Sequence, residues 1–403
     1  MSGLLSEYFE GIAVKRLSAV EAERESSNQH ELNGVSDLKK LFGSTGRQTL
    51  SAAIYYVTDD EIKQATEQLT WYDAREAHPS RSEYRLYYQG SSVSENCHAG
   101  DLVIIGKKSD ESVVLIAAER GSTAESQLMW LFGIAESALN GSFHFIDIEK
   151  KDKELGFSAR TILESLGIEI VKIDETHLEE MLGKFGGKFP KTAVFSEFAR
   201  SKTKDVNPEH DPDHAIYEWI NMEEQLFRSL EKVIVGEKLR KGFGDNNSDV
   251  DEFIQFSLSV QNRRKARVGH AFEHHLKEIF DKLDIKYSCN EPTEGKKKPD
   301  FLFPGVTEYH DENFPAQRLT MLGAKSTCKE RWRQVLAEAK RIENKHLITL
   351  EASISQDQTN EMKESSLQLI VPVPIQKTYS QAQQSWLLSL SEFIGLIRKR
   401  ERG

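Results

Sequence analysis

Two short apolar runs, each bounded by a charged residue, constrain the fold of this chain more than any other feature of its sequence. Residues 301–303 follow Asp300, and residues 319–324 precede Lys325. Apolar runs of this length are typical of buried strands, and two such strands side by side would bring the Asp300 carboxylate next to the Lys325 amine. That pairing is the skeleton of a Mg²⁺-dependent phosphodiesterase, in which carboxylates hold the metal and a lysine lies beside the attacked phosphate.

The composition is that of an ordinary soluble protein. The chain has 403 residues, of which 38% are hydrophobic and 29% charged, which indicates two or three domains. No apolar run reaches the ~20 residues that cross a bilayer, and the first residues lack the pattern of a signal peptide. The three cysteines are widely spaced. We therefore expect reduced thiols, a cytoplasmic location and no membrane partner.

The formal net charge of −11 argues mildly against nucleic acid as a partner, but it hides an uneven distribution. Local clusters of charge, rather than the total, set the electrostatic field at a binding cleft. Clusters of basic residues fall in the second half of the chain, at residues 263–267, 296–298, 329–333 and 398–400. Each cluster alone is typical of a solvated helix end. A basic cluster therefore indicates DNA binding only where it lies beside a candidate active site.

The strand and helix signals divide the chain into three parts. Residues 1–182 are rich in short strand-like runs with fewer helical patterns, which predicts an α+β domain with a mostly antiparallel sheet. Residues 183–214 are rich in Gly, Pro, Asp and Lys, which predicts a hinge or linker. Residues 215–403 mix long helices with strands, which predicts an α/β domain with a central mixed sheet flanked by helices. Its expected helices include residues 250–260, 268–283, 329–342 and 380–402.

The helix expected after Lys325 offers a second carboxylate. Its buried face would carry an i, i+3, i+4, i+7 series at Trp332, Val335, Leu336 and Ala339. Arg331 and Glu338 would lie two turns apart on another face, roughly 10 Å at 1.5 Å per residue. The common form of this kind of site has Asp or Glu two residues before the lysine, where this chain has Gly323. Glu338 is therefore the candidate for the second metal ligand, although a Pro-Asp turn and a surface Arg/Glu pair are the plainer interpretation of the same residues.

Several motifs in the second half resemble those of one enzyme family. They read Arg240-Lys-Gly-Phe-Gly244, Asn262-Arg-Arg-Lys-Ala-Arg267, Lys297-Lys-Pro-Asp-Phe-Leu-Phe-Pro304 and Lys325-Ser-Thr-Cys-Lys-Glu-Arg-Trp-Arg-Gln334. In order and spacing they resemble the EcoRII type II restriction endonucleases of the PD-(D/E)XK nuclease superfamily, over roughly the last 200 residues. That family uses a variant in which the second carboxylate has moved to the helix after the lysine, which matches Glu338 and explains Gly323.

The resemblance implies a role for each matching position. Asp300 and Glu338 would bind Mg²⁺, and Lys325 would be the catalytic lysine. Glu273, on the helix ahead of the site, resembles an accessory acidic residue of these enzymes. The triplet that reads a CC:GG half-site in the major groove corresponds to Lys329, Glu330 and Arg331. Its chemistry fits, because cationic donors suit guanine O6 and N7 while a carboxylate accepts from cytosine N4.

A competing motif lies on the same stretch of chain. His270-Ala-Phe-Glu-His274 fits the His-x-x-Glu-His pattern of inverted zinc proteases, and both histidines would share a helix face. The pattern is short and lacks a marked third ligand downstream. Apolar residues at Phe272, Leu276 and Phe280 indicate that this helix packs a core. A structural or DNA-facing histidine pair is therefore the better interpretation.

The N-terminal part mixes arginines with aromatic residues over residues 71–88, so Arg75, Arg81 and Arg85 could contact DNA. An aromatic strand with a charged loop is an equal alternative. The resemblance implies an effector domain, a pseudobarrel related to plant B3 DNA-binding domains. The likeness there is limited to residues 14–19 and the strand-rich pattern, so base-reading residues are not carried over.

Together these observations predict a homodimeric, prokaryotic type II site-specific deoxyribonuclease. It would hydrolyse both strands of double-stranded DNA with Mg²⁺ at a short palindrome. The resemblance further implies that the palindrome contains CC and GG, and that the N-terminal domain inhibits cleavage until it binds DNA. A cognate DNA methyltransferase is expected as its genetic companion. Two alternatives stay open: a DNA-binding regulator without a working metal site, and a Mg²⁺ nuclease acting in repair or on modified DNA.

Overall fold

The computed structural model describes residues 4–22, 31–32, 35–88, 93–148, 155–168, 175–328 and 331–402. The chain forms two compact units. One comprises residues 1–170 with residues 353–358, and the other comprises residues 171–352 with residues 359–403. Within the described ranges, no helix is both long and apolar enough to cross a membrane.

The first unit is built around a large sheet of mostly antiparallel strands. In the described part of this unit, eight strands pair in the order β2-β5-β4-β3-β7-β6-β1-β8, and of these pairs only β3 and β7 run parallel. Its elements are β1 (Phe9–Arg16), α1 (Ala19–Ala22), β2 (Glu31–Leu32), α2 (Lys39–Phe42), β3 (Gln48–Val57), β4 (Ile62–Asp73), β5 (Tyr84–Tyr88), β6 (Leu102–Lys108), β7 (Val113–Ala118), α3 (Thr123–Phe132), β8 (His144–Asp147) and α4 (Phe157–Ser165). Every residue of β7 is buried, which matches its continuous apolar sequence.

The second unit begins with four helices and continues as a mixed sheet flanked by helices. Its elements are α5 (Glu175–Phe185), α6 (Thr192–Lys202), α7 (Pro212–Lys241), α8 (Val250–Lys282), β9 (Ser288–Cys289), β10 (Phe301–Phe303), α9 (Val306–His310), β11 (Thr320–Lys325), α10 (Trp332–Val335), β12 (Lys345–Thr349), α11 (Gln356–Glu364), β13 (Leu367–Ile370), α12 (Val373–Gln376), α13 (Gln381–Gln384) and α14 (Leu390–Arg402). The expected fold class, a central mixed sheet flanked by helices and preceded by a β-rich α+β unit, is confirmed.

The sheet of the second unit has the order β13-β12-β11-β10-β9 among the described strands. β10 is antiparallel to β9 and β11, whereas β11, β12 and β13 run parallel to one another. Aromatic rings pack this sheet against its helices: the Phe280 ring of α8 contacts those of Phe301 and Phe303 edge-on, and Phe303 also meets Phe393 of α14. These contacts fix the ends of β10 and β11, where the candidate site lies.

Three helices differ from the sequence-based expectation. Residues 250–282 form one helix, because Arg264 and Arg267 pair with glutamates of α7 and so continue the helix through its charged middle. The C-terminal helix is interrupted between α13 and α14, where Leu388 forms a bridge with Ile370. The helix after Lys325 has only four residues, and Ala339 beyond it takes a left-handed φ of 46°.

The segment expected to be a hinge differs as well. Residues 192–202 form helix α6 rather than a linker. Phe195 and Phe198 of this helix pack with Phe227 and Leu230 of α7, which places α6 in the core of the second unit. The sequence pattern was misleading because the apolar residues of α6 lie between Gly- and Pro-rich stretches, which favoured a linker.

Candidate active site

Asp300 lies immediately before β10 and is 7% exposed. β10 pairs with β11 in the register Phe301 to Leu322, and continuing that register places Asp300 opposite Gly323. Asp300 Oδ2 accepts a hydrogen bond of 2.6 Å from the backbone N–H of Ala324. The neighbouring strand therefore holds the carboxylate in place at the edge where β10 begins and β11 ends.

Lys325 is the last residue of β11, and its side chain meets Asp300 as the sequence predicted. Its Nζ lies 2.8 Å from Asp300 Oδ2. The Lys325 side chain is 22% exposed, so the amine is partly open to solvent while its partner is buried. A single ammonium and a single carboxylate thus meet where a ligand from solution can reach them.

Glu338 follows α10 and carries a carboxylate into the same region. Its pKa is raised to about 7, first by burial and then by the negative charge of Asp300, while the charge of Lys325 opposes the rise. Glu338 Oε2 is buried without a hydrogen-bond partner. A buried carboxylate oxygen that faces another carboxylate and has no donor is costly, and a cation would relieve that cost.

Gly323 allows α10 to approach the sheet closely. A Cβ at this position would lie 3.0 Å from Cγ2 of Val335 on α10 and 3.4 Å from Cδ1 of Leu347 on β12. These two side chains fill the space where an Asp or Glu two residues before Lys325 would have its side chain. The close approach also brings the chain that follows Val335, and with it Glu338, toward Asp300.

Glu273 on α8 lies next to this group through Asn290. The Asn290 side-chain amide donates to Glu273 Oε2 at 3.2 Å, and the Asn290 backbone N–H donates to the carbonyl of Asp300 at 3.2 Å. Burial raises the pKa of the half-buried Cys289 thiol, Lys277 opposes that rise, and the charges of Glu273 and Asp300 add to it. Asn290 therefore links the carboxylate of Glu273 to the backbone of Asp300.

Comparison with known proteins finds a family similarity within this second unit. Residues 227–394 match the family model described as EcoRII C terminal. These residues include Asp300, Lys325, Glu338 and Glu273. Residues 227–394 are thus similar in sequence to an EcoRII C-terminal domain.

A curated relative and two solved structures accompany this match. The chain is 41% identical over 208 residues to the type II restriction enzyme EcoRII of Escherichia coli, which covers 51% of this chain and 50% of the relative. It thus spans about half the length of that relative. Metal-depleted Ecl18kI in complex with uncleaved DNA matches with a TM-score of 0.46 and 18% identity, over 57% of this chain and 86% of that one. The PspGI endonuclease–substrate DNA complex matches with a TM-score of 0.39 and 14% identity, over 56% and 93%. TM-scores below 0.5 are too low to add to the family match.

Of the expected recognition triplet, the structure describes only Arg331. Lys329 and Glu330 lie outside the described residues. Arg331 is exposed just before α10, and its guanidinium donates to Oγ1 of Thr327 at 2.5 Å and to the Thr327 carbonyl at 2.7 Å. The expectation that Arg331 and Glu338 share a face of one helix is wrong, because α10 ends at Val335.

The expected DNA-contacting arginines of the first unit fall into two groups. Arg75 and Arg85 form ion pairs with Glu83, at 2.5 and 2.7 Å, and Arg85 also pairs with Glu31 at 2.8 Å. Arg81 is exposed in the loop before β5. Contact with DNA through Arg75 or Arg85 would have to compete with these carboxylates.

Two lysines near Glu338 were not identified from the sequence. The charges of exposed Lys297 and buried Lys345 both oppose the rise in the Glu338 pKa. Lys345 opens the fully buried strand β12, and a lysine at the start of an apolar strand is the sequence signal that could have indicated it. In the described part of the chain, no set of three or more His, Cys, Asp and Glu residues is arranged to hold a metal. The candidate ligands are therefore the pair Asp300 and Glu338.

Proposed function

We propose that this protein is a Mg²⁺-dependent type II restriction endonuclease that hydrolyses double-stranded DNA at a short palindrome containing CC and GG. The observation that carries the proposal is the 2.8 Å contact between Lys325 Nζ and Asp300 Oδ2, with the unpartnered carboxylate oxygen of Glu338 acting on the same site. The family match covers all three residues.

The donor set suits a hard divalent cation. Asp300 and Glu338 would hold the ion through their carboxylate oxygens, which are the ligands that Mg²⁺ prefers. A bound ion would polarise the phosphate and lower the pKa of a bound water. Glu338 must be deprotonated to bind the ion. A cation beside it would lower its pKa, against the burial and the charge of Asp300 that raise it.

Lys325 has two tasks in this account. In the absence of metal, its ammonium group balances the charge of the buried Asp300. With DNA bound, the partly exposed amine would orient the attacking water and stabilise charge on the phosphate in the transition state. Glu273, held through Asn290, would tune the same site as an accessory acidic group.

We propose that base recognition lies just beyond Lys325, in Lys329, Glu330 and Arg331. Arg331 lies six residues after Lys325, so reading and cutting would be joined by one short stretch of chain. Arg331 now bonds to Thr327, and it would exchange these bonds for guanine O6 and N7.

A palindromic duplex has two equivalent strands, which favours a two-fold homodimer with one active site per strand. Helix α8 exposes four large apolar side chains at i, i+3, i+4 and i+8, namely Val250, Phe253, Ile254 and Leu258. We propose that this face contributes to the dimer.

The remaining parts of the proposal concern the first unit and the biological setting. The first unit would bind effector DNA and inhibit cleavage until it does so. Its candidate DNA contacts are Arg75, Arg81 and Arg85. We place the enzyme in a prokaryotic cytoplasm with a companion methyltransferase.

A truncated protein tests self-inhibition. Because α5 and α6 belong to the second unit, the truncation should remove residues up to about 170. We expect the truncated protein to cleave DNA with a single site more actively than the full chain.

The proposal is tested by incubating the full chain with plasmid DNA and Mg²⁺ and sequencing the ends. Discrete cleavage at one CC/GG-containing palindrome is expected, with loss of cleavage in Lys325→Ala and relaxed site choice in Arg331→Ala. DNA binding without cutting would instead indicate a regulator, and cleavage without sequence preference, or only of methylated DNA, would indicate a different nuclease. Undiminished cleavage by Lys325→Ala would reject the assignment.

A further inference from the structure

The turn that carries Glu338 has an unusual backbone. α10 ends at Val335, and Ala339 takes a left-handed φ of 46°, a conformation that costs energy for a residue with a Cβ. Because Glu338 directly precedes Ala339, the shape of this turn sets where its carboxylate lies. Something outside the turn must therefore hold its backbone.

Lys345 holds the turn from its buried side. The residue is 7% exposed, and its Nζ donates to the carbonyls of Ile342 at 2.7 Å and Ala339 at 3.1 Å. Burying an ammonium group is costly unless its protons are satisfied. Here two of the three protons are used on carbonyls of the same turn, and the charge also acts on Glu338.

The other side of the turn is fastened by a second group of contacts. The Lys340 backbone N–H donates to Glu294 Oε2 at 3.2 Å, and the Arg341 backbone N–H donates to the Tyr309 hydroxyl at 3.3 Å. The Tyr309 hydroxyl in turn donates to Glu294. These contacts hold residues 340 and 341, whereas Lys345 binds the carbonyl of the residue that follows Glu338.

We propose that Lys345 is a positioning residue for the metal-binding carboxylate of Glu338. It acts by bonding the carbonyls of Ala339 and Ile342, which keeps Glu338 turned toward Asp300, and it touches neither DNA nor the reacting atoms. The inference rests on the proposed function, since it assigns Lys345 a purpose in the same metal site.

The affinity for a metal ion distinguishes the two effects that Lys345 can have on Glu338. Loss of its charge and loss of its positioning role change that affinity in opposite directions. Replacing Lys345 by Met removes a positive charge, which by itself strengthens the attraction of a nearby site for a cation. Lost positioning weakens that site instead. We therefore expect Lys345→Met to bind Mn²⁺ about 10-fold more weakly than the wild type in DNA-free protein, measured by the electron paramagnetic resonance signal of free Mn²⁺.

Lys340→Met is the matched control, because Lys340 is exposed in the same turn and contributes its backbone N–H rather than its side chain to the bond with Glu294. Its Mn²⁺ affinity should equal or exceed that of the wild type. Lys345→Gln keeps an N–H donor group on a shorter, neutral side chain and should give an intermediate affinity. Thermal unfolding of each variant establishes that it is folded.

The outcomes separate this inference from the proposed function. If the wild type has no Mn²⁺ site that Glu338→Ala removes, the proposed function fails. If that site exists and either folded Lys345 variant binds Mn²⁺ as tightly as the wild type, only the positioning role is overturned. Failure of both Lys345 variants to fold also overturns it, because Lys345 would then support the whole unit rather than one carboxylate.

Discussion

The absence of a side chain at Gly323 lets Val335 pack directly on β11, where an added Cβ would lie 3.0 Å from its Cγ2. The common position of the second carboxylate is thereby closed, and the helix that closes it leads to Glu338. In the function we propose, the position of the second carboxylate at Glu338 and the close packing of α10 both follow from one glycine.

Gly323→Ala should separate α10 from β11. We expect a loss of about 1–3 kcal/mol in the free energy of unfolding, because the added methyl forces Val335 to shift, together with reduced cleavage. Chemical denaturation and a plasmid assay measure both. Gly323→Asp combined with Glu338→Ala should not restore cleavage, since Val335 and Leu347 occupy the space of the new side chain. Restored cleavage in that double variant would contradict this account of the glycine.

Lys325→Met should abolish chemistry without abolishing DNA binding. The substitution removes the ammonium group that contacts Asp300 but keeps the length of the side chain. We expect the single-turnover cleavage rate to fall at least about 100-fold, because a donor to the transition-state charge is lost. Lys363→Met, which removes an exposed lysine from α11, is the control and should cleave normally. A Lys325→Met enzyme that cuts within a few-fold of the wild-type rate would show that the contact is structural.

Glu338→Gln should stabilise the metal-free protein in a pH-dependent way. The pKa of Glu338 is raised from 4.5 to about 7 in the folded protein, so ionisation of this group disfavours folding. Below pH 4.5, Glu338 of the wild type is protonated in both the folded and the unfolded state, so the substitution leaves the free energy of unfolding unchanged. The gain should grow between pH 4.5 and 7 and stay constant above, at about 1–2 kcal/mol when solvent screening of this partly exposed group is allowed for.

Urea unfolding of Glu338→Gln at several pH values, without divalent cations, measures this gain. Glu343→Gln is the control, because Glu343 is exposed nearby on the same segment. A gain that is absent at pH 8, or larger at pH 4 than at pH 8, would contradict the raised pKa.

The exposed face of α8 predicts how the protein associates. Phe253→Glu with Leu258→Glu should convert a dimer into a monomer, because two charges would be buried in an apolar contact. Val373→Glu introduces the same charge at a comparably exposed apolar position and should leave the dimer intact. Sedimentation velocity measures the masses. A dimer that persists in the double variant would place the interface elsewhere.

The core of the site was predictable because it depends on local rules. Asp300 and Lys325 each bound a short apolar run, and antiparallel pairing of the two strands brings their side chains together. Glu338 was selected because Gly323 lacks a carboxylate and a helix was expected after Lys325, and the family resemblance then supported that choice. Apolar periodicity predicted a helix through residue 342. The chain instead turns at Ala339, whose carbonyl accepts a hydrogen bond from the side chain of Lys345 six residues later, and apolar periodicity carries no information about such a bond.

The helices of the second unit show the same limit. A charged stretch at residues 261–267 suggested a break between two helices, yet α8 continues because Arg267 is buried against Glu223 and Glu224 of α7. Such pairs join residues more than forty positions apart, and neither charge pattern nor periodicity specifies which partners will meet. Tertiary ion pairs here override a local signal for a break.

The most direct test of the central claim is anomalous diffraction from Mn²⁺ in crystals of the protein with an uncleaved duplex. We expect an anomalous peak between the carboxylates of Asp300 and Glu338, close to a DNA phosphate and to Lys325 Nζ, and its loss in Glu338→Ala. A Mn²⁺ peak bound to other residues, or a Glu338 carboxylate that takes no part in binding the ion, would contradict it.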